Sequence, residues 1–276
     1  MRPEDPGESE SEERRRIIEA VAGAAHRVDA RRAPELLCRA CMRLLPVSGA
    51  SVSLSGGPGV SATWCASNDV AFRLAEVQYT LGDGPCQTAL DRAAPVLATD
   101  LTRGPDVRRW PVFAHEAVGL GVRAVFSLPL GVGGIAIGTL DLYRDTVGAL
   151  SESELRTALW ARDAVTFALL NLRPPQDSAE GGGQDEDGVA SWVDASEADH
   201  TEVYEAVGMV MVQLQLDPDQ ALDRLRARAF AESRTVTQVA KDVLARRLRF
   251  ESEPGGGHGR DEGRRQAGDG GSEGER

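Results

Sequence analysis

Apolar residues recur at helical spacing soon after the start of the chain. Ile17, Ile18, Val21, Ala24, Ala25 and Val28 predict a first helix that opens near Glu13. Pro34 fits the first turn of a second helix with Leu37, Cys41, Leu44 and Leu45 as its stripe, and Pro46 stops it. The period then drops to two. Ser51-Val52-Ser53-Leu54-Ser55, a Gly56-Gly57-Pro58-Gly59 turn and the run Val60 to Cys65 predict a hairpin. Ser67 or Asn68 caps a short helix through Val77. Ala94 to Thr99 reads as a strand, and Trp110 to Leu120 as a helix ended by Gly119 or Gly121. A second hairpin turns at Gly131-Val132-Gly133-Gly134, between Val122–Leu130 and Ile135–Tyr143. Both of its strands are near-continuously apolar, which predicts a sheet covered on both faces. Ser151 and Glu154 form a capping-box pattern that opens a helix to about Leu172. This order predicts an α+β fold, an antiparallel sheet flanked by helices.

The packing pattern fails at both ends and once in the middle. Residues 1–12 and 251–276 are expected to be disordered. Pro174-Pro175 ends the sheet domain, assigned to 13–172, and an acidic, glycine-rich linker follows over 173–189. From 173 to 199 eight acids face a single arginine. A small three-helix bundle then begins by His200, within a unit assigned to 186–248. Its first stripe is Val203, Val207, Val210, Met211 and Leu214, and its second is Ala221, Leu222, Leu225 and Ala229. Asp217 is the expected cap of the second helix, with Pro218 at its first position. A turn over Ser233–Thr237 leads to a third stripe of Val236, Val239, Ala240, Val243 and Leu244.

Charge and chemistry narrow the function. The net charge of −12 argues against a general nucleic-acid coat, but not against a local basic patch. From His200 to Phe250 eight Lys/Arg stand against seven Asp/Glu, and every positive lies at or beyond Arg224. No apolar run is long enough to span a membrane, and the acidic start lacks a secretory h-region, so a cytoplasmic protein is expected. Four cysteines suit a reducing compartment. Cys38 and Cys41 form a CxxC on one helix face, read as buried core thiols ahead of a redox or metal pair. His26, His115, His200 and His258 are scattered without metal-ligand spacing, so no metal site is assigned. No nucleophile elbow, phosphate loop or dinucleotide fingerprint occurs, and no catalytic residue is assigned. Asp100 and Asp141 read as a cap and a strand-end residue rather than an acid pair.

Gln78-Tyr79-Thr80-Leu81-Gly82-Asp83-Gly84-Pro85-Cys86 resembles a phrase of GAF domains in actinobacterial regulators. Asp100-Leu101 before Trp110-Pro111-Val112-Phe113 resembles it too, as do Gly121 to Val125 with Leu128-Pro129-Leu130, and Gly138 to Tyr143. The resemblance implies a sensing domain for a small molecule of unknown identity, without a required cofactor. Gly82 and Gly84 permit positive φ and close backbone approach, and Pro85 stiffens the entry to a helix at Cys86. Gly82, Gly84, Pro85 and Cys86 are the expected pocket residues; a tight turn without ligand is the competing reading.

Ala206-Val207-Gly208-Met209-Val210-Met211, then Ala221 to Ala229, then Val239-Ala240-Lys241-Asp242-Val243-Leu244 resemble the ANTAR domain, a three-helix RNA-binding antitermination module. The expected RNA-binding residues are Gly208, Arg224, Arg226, Arg228, Lys241 and Arg246, with a face centred on Arg226, Arg228 and Lys241. Arginine binds phosphate in a bidentate way and stacks on unpaired bases, which suits hairpin loops. Positions 224 and 228, and positions 242 and 246, are each expected to share a helix face. One departure from the family is Val207, where a lysine is usual before the glycine. The chain is thus expected to be a signal-responsive antitermination regulator, a homodimer that binds RNA hairpins. The alternative is an interaction or dimerisation regulator whose helical module has lost RNA. DNA binding ranks third, because the first two helices lack the short turn of a helix-turn-helix.

Overall fold

The computed structural model describes residues 6–25, 33–57, 60–132, 134–171 and 201–251. The linker 173–189, the tail 252–276 and His26, His200 and His258 lie outside the described residues. Helix α1 (Pro6–Ala25) begins seven residues before the expected Glu13, so the acidic stretch from Pro6 to Glu12 is helical. Acidic residues complement the positive end of the helix dipole, and Arg16 Nε donates to the carbonyl of Glu12 at 3.4 Å. Helix α2 (Ala33–Leu44) follows, then β1 (Gly49–Gly57) and β2 (Val60–Ala66). Helix α3 (Asp69–Leu81) is capped by the Asn68 side chain, which accepts from the Ala71 N–H at 2.9 Å. It runs four residues past Val77, because Gln78 to Leu81 form its last turn rather than part of a loop. Next come α4 (Pro85–Arg92), β3 (Val96–Ala98), the unforeseen short α5 (Pro105–Arg109) and α6 (Pro111–Gly119). Strands β4 (Ala124–Val132) and β5 (Ile135–Arg144) lead to α7 (Glu152–Asn171). The capping box at α7 is present: Glu154 N–H donates to Ser151 Oγ, and Ser151 N–H to Glu154 Oε2.

The five strands pair antiparallel throughout, in the order β2-β1-β5-β4-β3. Alternation sorts their side chains. Val52, Leu54, Phe126, Leu128, Leu130, Leu140 and Leu142 enter one apolar core with α1, α2 and α7. Each such side chain, fully buried, stabilises the fold by about 1.5–3 kcal/mol. The residues between them face α3, α4 and α6. There Val125 and Tyr143 join a second apolar core with Leu74, Trp110 and Phe113. The middle of that second face is polar: Ser51, Ser53, Ser127, Thr139 and Asp141 are all buried. Both faces are covered, as the apolar runs predict, but only one is apolar from edge to edge. Asp141 is not a strand-end residue; it sits within β5, opposite Ser51 on one side and Ser127 on the other.

The cysteines also depart from expectation. Cys38 on α2 and Cys65 on β2 form a disulfide, with Cα atoms 6.7 Å apart. Helix α2 packs on β2, so Cys38 faces the strand and not its CxxC neighbour. Cys41 and Cys86 are free and buried. Burial pushes the Cys41 thiol up to about 12, so it is inert as a nucleophile.

The helical module comprises α8 (Thr201–Leu214), α9 (Pro218–Ala231) and α10 (Val236–Leu244). Asp217 caps α9 by accepting from the Gln220 N–H at 2.8 Å, as its position before Pro218 predicts. Thr235 and Gln238 form a reciprocal capping box at α10. The stripes Val203/Ala206/Val210, Ala221/Leu222/Leu225/Ala229 and Val236/Val239/Ala240/Val243 close one core. Tyr79 from α3 belongs to that core, so the module packs directly on the sheet domain. Among the described residues no helix is long and apolar enough to cross a membrane.

Candidate ligand pocket and RNA-binding face

The glycine-rich turn joins α3 to α4 and lies against the polar centre of the sheet. Gly82 is the left-handed cap of α3, with φ of 62°. Gly84 has φ of 140°, and a Cβ there would stand 2.8 Å from Gln78 Oε1. Pro85 takes the first position of α4. Cys86 follows: its N–H donates to Gln78 Oε1 at 2.8 Å, and its Sγ lies 3.1 Å from Thr139 Oγ1. Gly82, Gly84, Pro85 and Cys86 thus form one turn laid against Gln78 and Thr139.

Beneath them is a group of side chains that the sequence reading missed. Thr139 Oγ1 donates to Asp141 Oδ2 at 3.2 Å. Gln78 Nε2, Ser127 Oγ and Asp141 Oδ1 are buried beside one another, and Ser127 and Gln78 hydrogen-bond the Asp141 carboxyl. No basic side chain among the described residues forms an ion pair with Asp141. Burial pushes its carboxyl up to about 6, against the lowering influence of Ser127, Thr139, Cys86 and Gln78 around it. The Cys86 thiol is raised well above its ordinary value, first by burial and then by the Asp141 charge. A signal existed in the sequence: Ser51/Ser53 and Thr139/Asp141 are polar at period two inside otherwise apolar strands.

The expected RNA face is not one open surface. Arg224 and Arg228 stand exposed on the same side of α9, and Gly208 is exposed on α8. Arg228 Nε lies 2.6 Å from Glu232, and Lys241 Nζ 3.5 Å from Glu202. Glu232 also takes Arg234, whose other nitrogen reaches Asp242, and Asp242 takes Arg247. The arginines of this chain hold the Glu232 and Asp242 carboxyls below their usual range, Arg234 most of all. Arg246 does not share a helix face with Asp242, because α10 ends at Leu244 and Arg246 is left-handed at φ of 56°. Val207 is half-buried against the module's core, which suits an apolar residue in place of the usual lysine.

Arg226 points the other way, into the sheet domain. Its Nε donates to the Tyr79 carbonyl at 3.2 Å, and its guanidinium sits 5.8 Å from the centre of the Tyr79 ring. Asp223 is 3.8 Å away on the same helix. Burial lowers the Arg226 pKa from its ordinary value, but it remains a cation. A Cβ at Gly82 would meet Arg226 Nη1 at 2.8 Å, so the glycine admits the guanidinium. One residue on, Thr80 Oγ1 accepts from the Val236 N–H at 3.2 Å. A cleft of about 320 Å³ opens beside this contact, between Leu81, Val112 and Phe230. Arg226, Arg228 and Lys241 therefore do not form a common exposed patch in this arrangement.

The GAF domain family model matches residues 29–159, and the ANTAR domain family model matches residues 195–244. No curated protein matches the chain. Among solved structures, the chain is similar to the GAF domain from a phosphoenolpyruvate-protein phosphotransferase of Coxiella burnetii. That match has 15% identity and a TM-score of 0.43, and covers 59% of this chain and 94% of that one. It is also similar to type II free methionine-R-sulfoxide reductase from Thermoplasma acidophilum, at 17% identity and a TM-score of 0.37. There 50% of this chain and 90% of that one are covered.

Proposed function

We propose that this chain, in which the GAF and ANTAR family models match successive parts, is a signal-responsive antitermination regulator that couples a sensing module to an RNA-binding one. The sensor is assigned to 13–172 and the output module to 186–248, with the acidic stretch between them as a tether. A small molecule binds behind the Gly82–Cys86 turn, and the output module binds RNA hairpins as a homodimer. The protein acts in the cytoplasm, where nascent RNA is found; a Cys38–Cys65 bond is uncommon there, and reduction would leave two buried thiols. No catalytic step is assigned to it.

The observation that carries this reading is the burial of Arg226 against Tyr79. A guanidinium hydrogen-bonded to Tyr79 is not free to bind phosphate, so this arrangement is the held state. Signal binding shifts the population toward a state with Arg226 exposed. In filter binding of the full chain to paired hairpins, Tyr79→Ala, which removes the ring beside Arg226 but keeps the carbonyl it bonds, should raise affinity about threefold, or ~0.6 kcal/mol. Arg228→Ala with Lys241→Ala should weaken it and flatten the salt dependence. No hairpin binding at low salt by wild type or Tyr79→Ala would sink the proposal. It would favour the second reading, a module that only docks or dimerises, for which Val207 and the ion-paired Arg228 and Lys241 speak.

A further inference from the structure

Cys38 on α2 and Cys65 on β2 are bonded, in a chain whose sparse cysteines read as reduced thiols. The place of the bond in the sheet is particular. Strand β2 lies at the edge and pairs on one side only, with β1. Its ladder is interrupted at the bonded residue. Val52 pairs with Cys65 and Ser53 with Thr63, so the register skips Trp64. A bulge of this kind disrupts pairing locally, and the covalent tie to α2 spans that weak point. We propose that the Cys38–Cys65 pair is a thiol–disulfide switch, opened by a dithiol reductant, that frees the start of α3 and through it the output module. The inference rests on the held state proposed above and adds a second input to it.

The path from the bond to the output module is short. Ala66 separates Cys65 from Ser67, whose N–H donates to the Ala50 carbonyl at 2.8 Å and whose Oγ accepts from the Ala50 N–H at 2.8 Å. Asn68 follows; it donates to the Ser48 carbonyl at 2.9 Å and caps α3. Helix α3 packs on β2 and runs unbroken to Tyr79 and Thr80, which hold Arg226 and the Val236 N–H. The bonded cysteines and the buried Arg226 occur together, so the disulfide belongs to the held state. Opening the bond leaves the end of β2 to its interrupted ladder and its packing. That removes a constraint from the held state alone and shifts the population toward the released one.

The exchange chemistry is that of any disulfide. Cys65 is the more open partner, at 8% exposed against 1% for Cys38, so its sulfur is the point of attack. A thiolate of the reagent bonds to the Cys65 sulfur, the Cys38–Cys65 bond breaks, and Cys38 leaves as a thiolate that takes a proton from water. The second thiolate of the reagent then attacks its own partner sulfur, closes the reagent's disulfide and releases Cys65, which is protonated in turn. Two electrons and two protons pass from the dithiol to the cysteines, and the oxidised reagent reverses the reaction. Neither remaining cysteine diverts it. Cys41 lies one helical turn from Cys38, but burial keeps it a thiol, and Cys86 is kept so too. A thiol is a poor nucleophile, so the bond does not migrate to the CxxC pair.

The test uses the full chain in buffers of reduced and oxidised dithiothreitol, without denaturant. Thiols are trapped in acid, alkylated after unfolding and counted by mass spectrometry; hydrogen exchange is followed in parallel. The count should pass reversibly from two, Cys41 and Cys86, to four. Reduction should speed exchange about tenfold in α3 and at the Val236 N–H, and leave β4 and β5 unchanged. Hairpin affinity should rise about threefold in the same buffers. Cys65→Ser and Cys38→Ser should each exchange like reduced wild type and ignore the reductant, while Cys41→Ser keeps the wild-type response. A bond that opens only on global unfolding, equal exchange in both forms, or a response lost in Cys41→Ser would overturn the proposal. So would hairpin binding of equal strength in both forms. Faster exchange in a chain that binds no hairpin in either form supports the switch and refutes the antitermination role. Hairpin binding with no change in exchange does the reverse.

Discussion

The two faces of the sensor sheet are made from the same strands, one residue apart, and they are built for different ends. On one face Phe126, Leu128, Leu140 and Leu142 bury hydrocarbon against α1, α2 and α7. On the other, Ser127, Thr139 and Asp141 are equally buried, but as a polar cluster around a carboxyl that no cation pairs. The first face lowers the free energy of the fold with every side chain. The second face carries a carboxyl that burial disfavours in its charged form. Burying that carboxyl costs stability in a domain otherwise well packed.

Substitutions can sharpen that contrast. Phe126→Ala, on the apolar face, should cost the most, about 3–5 kcal/mol, read as a fall in denaturation midpoint at unchanged slope. Cys65→Ser, at the rim of the same core, should cost ~3 kcal/mol under oxidising conditions, with wild type approaching it in reductant; thermal melts with and without dithiothreitol check this. Asp141→Asn should act in the opposite sense. The Asp141 pKa in the fold is about 6, above the ordinary value, so its contribution is fully favourable below about pH 4 and is lost as pH rises through 6. Cys86, the other titratable group facing it, remains a thiol through that window. The variant should thus be more stable than wild type at pH 7, by roughly 1–3 kcal/mol, and should lose that advantage at pH 4, measured by urea unfolding at both pH values. The smallest effect is expected from Ser127→Ala: about 1 kcal/mol, because one hydroxyl hydrogen bond to Asp141 is lost. A loss of 2 kcal/mol there would erase the distinction between the faces.

Much of this fold was legible in the chain. Period two marked the first hairpin and near-continuous apolar runs marked β4 and β5, and the caps at Asn68, Ser151 and Asp217 fell where their side chains predict. The turn from Gly82 to Pro85 was legible because Gly and Pro fix backbone geometry locally. The polar cluster could not be assembled, because Gln78, Ser127 and Asp141 lie far apart in sequence and meet only through strand register. Reading β4 and β5 as apolar throughout hid the alternation at Ser127, Thr139 and Asp141. The position of Arg226 was not legible for a different reason. Charge can be counted along a chain, but Arg226 lies about 200° around the helix from Arg224 and Arg228, given 100° per residue. That rotation turns it toward Tyr79, and no local rule predicts a partner 147 positions away.

The contact between Arg226 and Tyr79 has a consequence that runs backward through the molecule. If the sensor surface and RNA contend for the same guanidinium, each is an inhibitor of the other's hold on it. Linkage is reciprocal: the factor by which a sensor ligand tightens RNA is the factor by which RNA tightens that ligand. Abundant target transcript would then lower the signal concentration needed to fill the sensor. The threshold of such a switch is set in part by its own output.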